Sequence, residues 1–188
     1  MLTFKRNLIG GVLVAALALL VGLPLPAAAA TGREIDREAS AALSKLYREV
    51  PAARQLGRRA KGIMIFPSVV KGGLMVGGQY GEGVMRKGRR TLGYYQIAAA
   101  SYGLQAGVQS FGYALFFMTD SALRYLDQSQ GWEIGVGPSV VVIDEGKART
   151  LTTTTMKDDI YAFVFGQQGL MAGMGIQGSK ITRIQPGK

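Results

Sequence analysis

From Gly62 onward, glycine is set among Val, Ile, Leu, Tyr and Phe, and one short pattern keeps returning. It reads Gly73-Leu-Met-Val-Gly77, Gly103-Leu-Gln-Ala-Gly107, Gly169-Leu-Met-Ala-Gly173 and, more loosely, Gly131-Trp-Glu-Ile-Gly135. In a β-strand, residues two apart share a face. Each copy therefore carries glycines on one face and an apolar pair on the other: Leu74/Val76, Leu104/Ala106, Trp132/Ile134 and Leu170/Ala172. The apolar pairs are expected to face the core. The glycine faces allow either sharp coiling of a closed or nearly closed sheet, with close approach of another element, or a groove for a ligand such as an acyl chain.

The remaining pattern fills in the elements. Short β-like runs are predicted over 62–66, 74–85, 91–100, 103–118, 132–143, 148–155, 160–165 and 169–184, separated by glycines or polar turns. Arg86-Lys87-Gly88-Arg89-Arg90 is the clearest turn. Thr119 to Gln128 breaks the pattern, with Asp120 as a cap and Ala122, Leu123 and Leu126 as a helical stripe. Before the sheet, Thr31 and Glu34 fit a capping box, and Ile35, Ala39, Ala42, Leu43, Leu46 and Tyr47 recur at helical spacing up to Pro51. Pro51 opens a second, short helix to about Lys61. The fold class is α+β: N-terminal helices plus a glycine-rich, mainly antiparallel β-sheet, as a sandwich or partly closed barrel, with one short inserted helix.

The chain has neither cysteine nor histidine among its 188 residues. Disulfides, Cys nucleophiles, Ser-His-Asp triads and His/Cys metal sites are thereby excluded. Only a carboxylate hydrolase would remain. Its acids are few, and Asp144-Glu145 and Asp158/Asp159 read as solvated turns. Glu82, between Gly81 and Gly83, reads as a salt-bridge anchor or a ligand contact. No cofactor and no metal is implied, and the expectation is a protein that is not an enzyme.

The N-terminus reads as a secretory signal peptide over 1–30. Lys5 and Arg6 precede an uncharged run from Leu8 to Val21, then Pro24, Pro26 and Ala27 to Ala30. The apolar run is shorter than the roughly 20 residues of a spanning helix; a retained anchor is the alternative. Residues 31–188 form one domain. Without Lys5 and Arg6, 20 basic residues face 12 acidic ones, a net of +8. Residues 54–90 hold the whole excess: Arg54, Arg58, Arg59, Lys61, Lys71, Arg86, Lys87, Arg89 and Arg90 against Glu82 alone. Arg54, Arg58 and Lys61 share a helix face, with Ala53, Leu56 and Ala60 on another. Such polarisation attracts anions, or simply keeps a basic protein soluble. At an anionic bilayer each such cation contributes about 1 kcal/mol. No nucleic-acid motif is present, and nucleic acid is not an expected partner of an exported chain.

Several motifs in order resemble the SYLF domain family. They are Ala60-Lys61-Gly62-Ile63, Val70-Lys71-Gly72-Gly73, Gly77-Gly78-x-x-Gly81-Glu82-Gly83-Val84, Gly93-Tyr94-Tyr95-Gln96, Gly103 to Gln109, Phe116-Phe117-Met118-Thr119, Gly131-Trp132-Glu133-x-Gly135, Gly169 to Gly173 and Gly178-x-Lys180. The resemblance covers about residues 35–184 and looks like that of an exported bacterial member. It implies a lipid-binding domain, with phosphoinositide headgroups preferred by eukaryotic relatives, and a membrane contact through N-terminal basic and amphipathic residues. Carried over, that contact is the Arg54–Lys61 helix. Actin, a partner of intracellular relatives, is not expected for an exported chain, and the family supplies no catalytic residues.

The expected function is binding of anionic phospholipid at an envelope membrane surface, with the protein periplasmic or secreted. The headgroup would meet the nine cations, and Leu56 and Ala53 would sit at the acyl boundary. The alternative is an envelope structural or interaction protein that binds an acidic polymer or a partner protein.

Overall fold

A computed structural model of the chain describes residues 30–129, 131–143, 157–171 and 179–187. Residues 1–29 of the expected signal peptide, the strand expected over 148–155, the Asp144-Glu145 turn and Gly173 of the repeat lie outside the described residues.

Two helices come first, α1 (Gly32–Glu49) and α2 (Pro51–Arg59). The capping box forms as the sequence predicts: the Glu34 amide donates to Thr31 Oγ1 at 3.3 Å, and Thr31 N–H donates to Glu34 Oε2 at 2.8 Å. Val50 ends α1, and Pro51 occupies the first turn of α2. There the missing N–H of proline costs nothing.

The sheet is organised by one long hairpin. β1 (Gly62–Lys87) and β2 (Arg90–Phe117) pair antiparallel from Gly62↔Phe117 to Lys87↔Arg90. The several short strands predicted across this region are two continuous ones. Register shifts between Phe66/Val69, Leu74/Val76 and Met85/Arg86 bend β1 without ending it. The tip is the tight turn at Gly88-Arg89, with Gly88 at φ 61°, a left-handed conformation that favours glycine.

After β2 come α3 (Asp120–Gln128), β3 (Trp132–Glu133), β4 (Val140–Ile143), β5 (Ile160–Met171) and β6 (Lys180–Ile184). Thr119, rather than Asp120, caps α3 by accepting from the Ala122 amide at 3.2 Å. Along its second edge β2 pairs β6 over Tyr94 to Ala98 and β5 over Gly107 to Phe117. β4 pairs β5 in parallel, and the other ladders are antiparallel. The α+β reading holds, as a curled half-barrel.

The curl comes from β1 doubling back along its own length. A Cβ placed on Gly81 would lie 2.7 Å from the Ser68 carbonyl oxygen, and one on Gly83 would collide with the Ile65 carbonyl and the Phe66 ring. A Cβ on Gly62 would lie 3.2 Å from Met85 Sδ and 3.5 Å from the Arg86 carbonyl oxygen. The start and end of β1 thus touch, and glycine permits the approach. Inside the curl Met64, Phe66, Val69, Met85, Tyr95, Ile97, Phe111, Tyr113, Leu115 and Phe117 form one core, closed by Ala122 and Leu126 of α3 and by Trp132. The other face of the sheet is covered by the helices. Leu46, Ala53 and Leu56 pack on Ala114, Phe116, Tyr161 and Phe163, while Ile35 and Ala39 pack on Ile65 and Val84.

Of the repeat's apolar pairs, Trp132 is buried and Ile134 packs against the core as expected. Ala106 is exposed, contrary to expectation. Gly107 beside it has φ 131°, so the strand is locally distorted and the two-face alternation is not maintained there.

Candidate anion-binding face

α2 is amphipathic, and its buried stripe is Ala52, Ala53 and Leu56. Ala53 and Leu56 are fully buried against the sheet. This corrects their placement at an acyl boundary: the apolar face is already taken by the protein's own core. The polar side remains free. Arg54, Arg58, Arg59 and Lys61 are exposed, and none forms an ion pair among the described residues.

The two helices pack so that matching triplets spaced i, i+3, i+4 face each other. Ser44, Tyr47 and Arg48 of α1 and Arg54, Gly57 and Arg58 of α2 line one groove of about 470 Å³. Arg48 was outside the basic window read from the sequence, yet it completes a set of three guanidiniums. A Cβ on Gly57 would collide with the Tyr47 hydroxyl and lie 2.7 Å from Cζ, so the bare backbone of α2 seats the Tyr47 ring. Partial burial raises the Tyr47 phenol above its ordinary 10, so it is a hydroxyl at neutral pH.

The other basic element divides. Lys87, Arg89 and Arg90 stand exposed at the hairpin tip without ion pairs among the described residues. Arg86 is engaged elsewhere. Its Nη2 donates to Asp36 Oδ1 at 2.6 Å and to the Asp36 carbonyl at 2.6 Å, and its Nη1 donates to Ser40 Oγ at 2.9 Å. Thr91 Oγ1 and the Tyr94 hydroxyl donate to the same carboxylate at 3.0 and 2.8 Å. Burial alone would raise the Asp36 pKa, but these hydrogen bonds and the Arg86 charge prevail and hold it below the usual 3.8. Arg86 is therefore a clamp between α1 and the hairpin. Lys71 is 7% exposed on β1, in register with Gln109, and is not part of the open face. Strand alternation could have found this, since Lys71 follows the buried Val69 by two residues.

Gly62 lies close enough to Arg86 that an added Cβ would sit 3.5 Å from its carbonyl oxygen, so the Lys61 end of the α2 connection lies near the base of the hairpin tip. Seven of the nine cations of residues 54–90 thus remain exposed: Arg54, Arg58, Arg59 and Lys61 on one element, Lys87, Arg89 and Arg90 on the other.

Two of the candidate acids have clear structural partners. Glu82 Oε1 accepts from the Tyr80 hydroxyl at 2.7 Å. Partial burial, that bond and the Glu82 charge push the phenol up to about 12. Asp159 accepts from Thr119 Oγ1 at 2.9 Å and from the Ser139 hydroxyl and amide at 3.3 Å, joining the starts of α3, β4 and β5. It is not the merely solvated turn that its sequence context suggests.

Residues 98–185 match the Ysc84 family, the SYLF domain, described as "Las17-binding protein actin regulator". The chain is also similar to Beta cell expansion factor A of Aeromonas veronii, with 29% identity over 147 residues. That alignment covers 78% of this chain and 54% of the relative, so the chain spans about half the length of the curated relative it matches.

Proposed function

We propose, from the premise that residues 98–185 are a SYLF-family segment, that this chain is an exported, non-enzymatic protein that binds anionic phospholipid at a membrane surface. The carrying observation is the set of exposed cations on α2 and the hairpin tip that form no ion pair among the described residues, with the two elements brought near each other where Gly62 approaches Arg86. Cations with no carboxylate beside them are free to meet phosphate. Leu56 and Ala53 are buried, so binding is electrostatic attachment to headgroups, with no apolar wedge from α2. Export through the 1–30 segment is part of the same reading; N-terminal sequencing of secreted material that still begins at Met1 would refute cleavage.

Flotation with zwitterionic and anionic vesicles tests the proposal. Arg54→Glu/Arg58→Glu and Lys87→Glu/Arg89→Glu should each weaken anionic-vesicle binding about tenfold, or 1.4 kcal/mol. Lys180→Glu, on β6 outside the two basic elements, should change it little. Loss in the helix variant alone confines the site to α2. Binding that ignores lipid charge, or equal binding by all variants, refutes lipid electrostatics and favours an acidic polymer or a protein partner.

A further inference from the structure

The α1–α2 groove brings together three guanidiniums with no carboxylate paired to them among the described residues. Arg48, Arg54 and Arg58 form no ion pair among the described residues, although Lys45 and Glu49, on the same helix as Arg48, pair with each other at 4.0 Å. Three cations brought to one groove repel, and the arrangement is relieved by an anion between them. Gly57 shapes the wall of the same groove. A glycine inside a helix disfavours that helix relative to alanine, and here its absent side chain is what lets Tyr47 lie across α2 into the groove wall. The groove thus offers three planar forks and hydroxyls from Tyr47 and Ser44.

We infer that this groove is a discrete site for a phosphomonoester, with Arg48, Arg54 and Arg58 gripping its terminal oxygens and Tyr47 and Ser44 supplying hydroxyl donors. A monoester presents three terminal oxygens and nearly two negative charges at neutral pH. A phosphodiester presents two oxygens and one charge. Guanidinium forks bind phosphate oxygens in pairs, so three of them fit the monoester better. The ligand could be the headgroup of a lipid such as phosphatidic acid or a soluble phosphomonoester. The first source rests on the membrane reading above, and the second does not.

The purified full chain is tested with two probes. The first is vesicle binding, comparing phosphatidic acid with phosphatidylglycerol at matched surface charge. The second is calorimetric titration with glycerol 3-phosphate. The expected result is a preference for phosphatidic acid of about tenfold, the contribution of one charge-assisted hydrogen bond. Arg48→Gln, at an exposed position, should abolish that preference with the melting temperature unchanged. Gly57→Ala should reduce it by displacing Tyr47. Lys87→Glu/Arg89→Glu should weaken both lipids alike and keep the preference. Equal binding of the two lipids with no glycerol 3-phosphate binding, or a preference that survives Arg48→Gln, overturns the inference while the membrane reading stands. If neither vesicle binds, the membrane reading fails. Glycerol 3-phosphate binding lost in Arg48→Gln would then support a soluble ligand, and no glycerol 3-phosphate binding would overturn the groove as well.

Discussion

Asp36 shows how a single side chain joins distant parts of this chain. Its carboxylate gathers Arg86, Thr91 and Tyr94, all at least 50 positions away in sequence. Removing it leaves a part-buried guanidinium without its partner, so Asp36→Ala should cost roughly 2 kcal/mol in denaturant unfolding, the scale of a charged hydrogen bond. The pH dependence has a definite sign. A carboxyl whose pKa is lowered by folding contributes stability above its unfolded value, here 3.8, and that stability is lost as pH falls below it toward the folded pKa. Asp36→Asn should therefore flatten the acid limb of the stability curve relative to wild type, and superimposable limbs would contradict the clamp. Gly83 gives a contrast in mechanism. Alanine there meets the Ile65 carbonyl and Phe66, and overpacking of that kind costs about 1–3 kcal/mol. These partners were not legible in the sequence. Arg86 sits within a run of cations, and nothing local distinguishes the one that turns inward from Lys87, Arg89 and Arg90.

The helices were the most legible elements, because their signals are local. The capping box, the apolar spacing of α1 and Pro51 each act within a few residues, and α1 and α2 begin and end close to where those signals put them. Thr31→Ala should lower stability by about 1 kcal/mol, the usual loss for an N-cap, read as a shift in melting temperature. The strands were less legible. Glycine at 72 and 73 reads as punctuation between the runs predicted over 62–66 and 74–85, yet β1 runs through both. A partner strand fixes their conformation, and the partner is up to 55 positions distant, at the Gly62↔Phe117 end. The candidate site divided along the same line. The i, i+4 pair Arg54/Arg58 was readable from helical spacing. Arg48 was not, because its link to them is the packing angle of two helices. Leu56 was misread because an amphipathic helix looks alike whether its apolar face meets lipid or its own sheet.

Over the whole molecule the sequence shows an uneven charge, and the fold keeps seven of the nine cations in the 54–90 segment at the surface while drawing Lys71 and Arg86 inward. Attraction between an exposed face and an anionic surface is screened by salt. Binding to anionic vesicles should weaken steadily as the Debye length falls from about 10 Å at 0.1 M to about 3 Å at 1 M. Flotation across a salt series would show this, and salt-independent binding would point to apolar contact. The two-residue turn at Gly88-Arg89 has a consequence of a different kind, in time. Every β1–β2 pair from Lys87↔Arg90 to Gly62↔Phe117 is reached in order from that turn, so the loop to be closed at each step is short once the previous pair has formed. The hairpin can assemble as a zipper from its tip, before β1 doubles back and before the helices dock. A substitution that strains Gly88, such as Gly88→Ala at φ 61° in open space, should then slow folding and leave the unfolding rate nearly untouched.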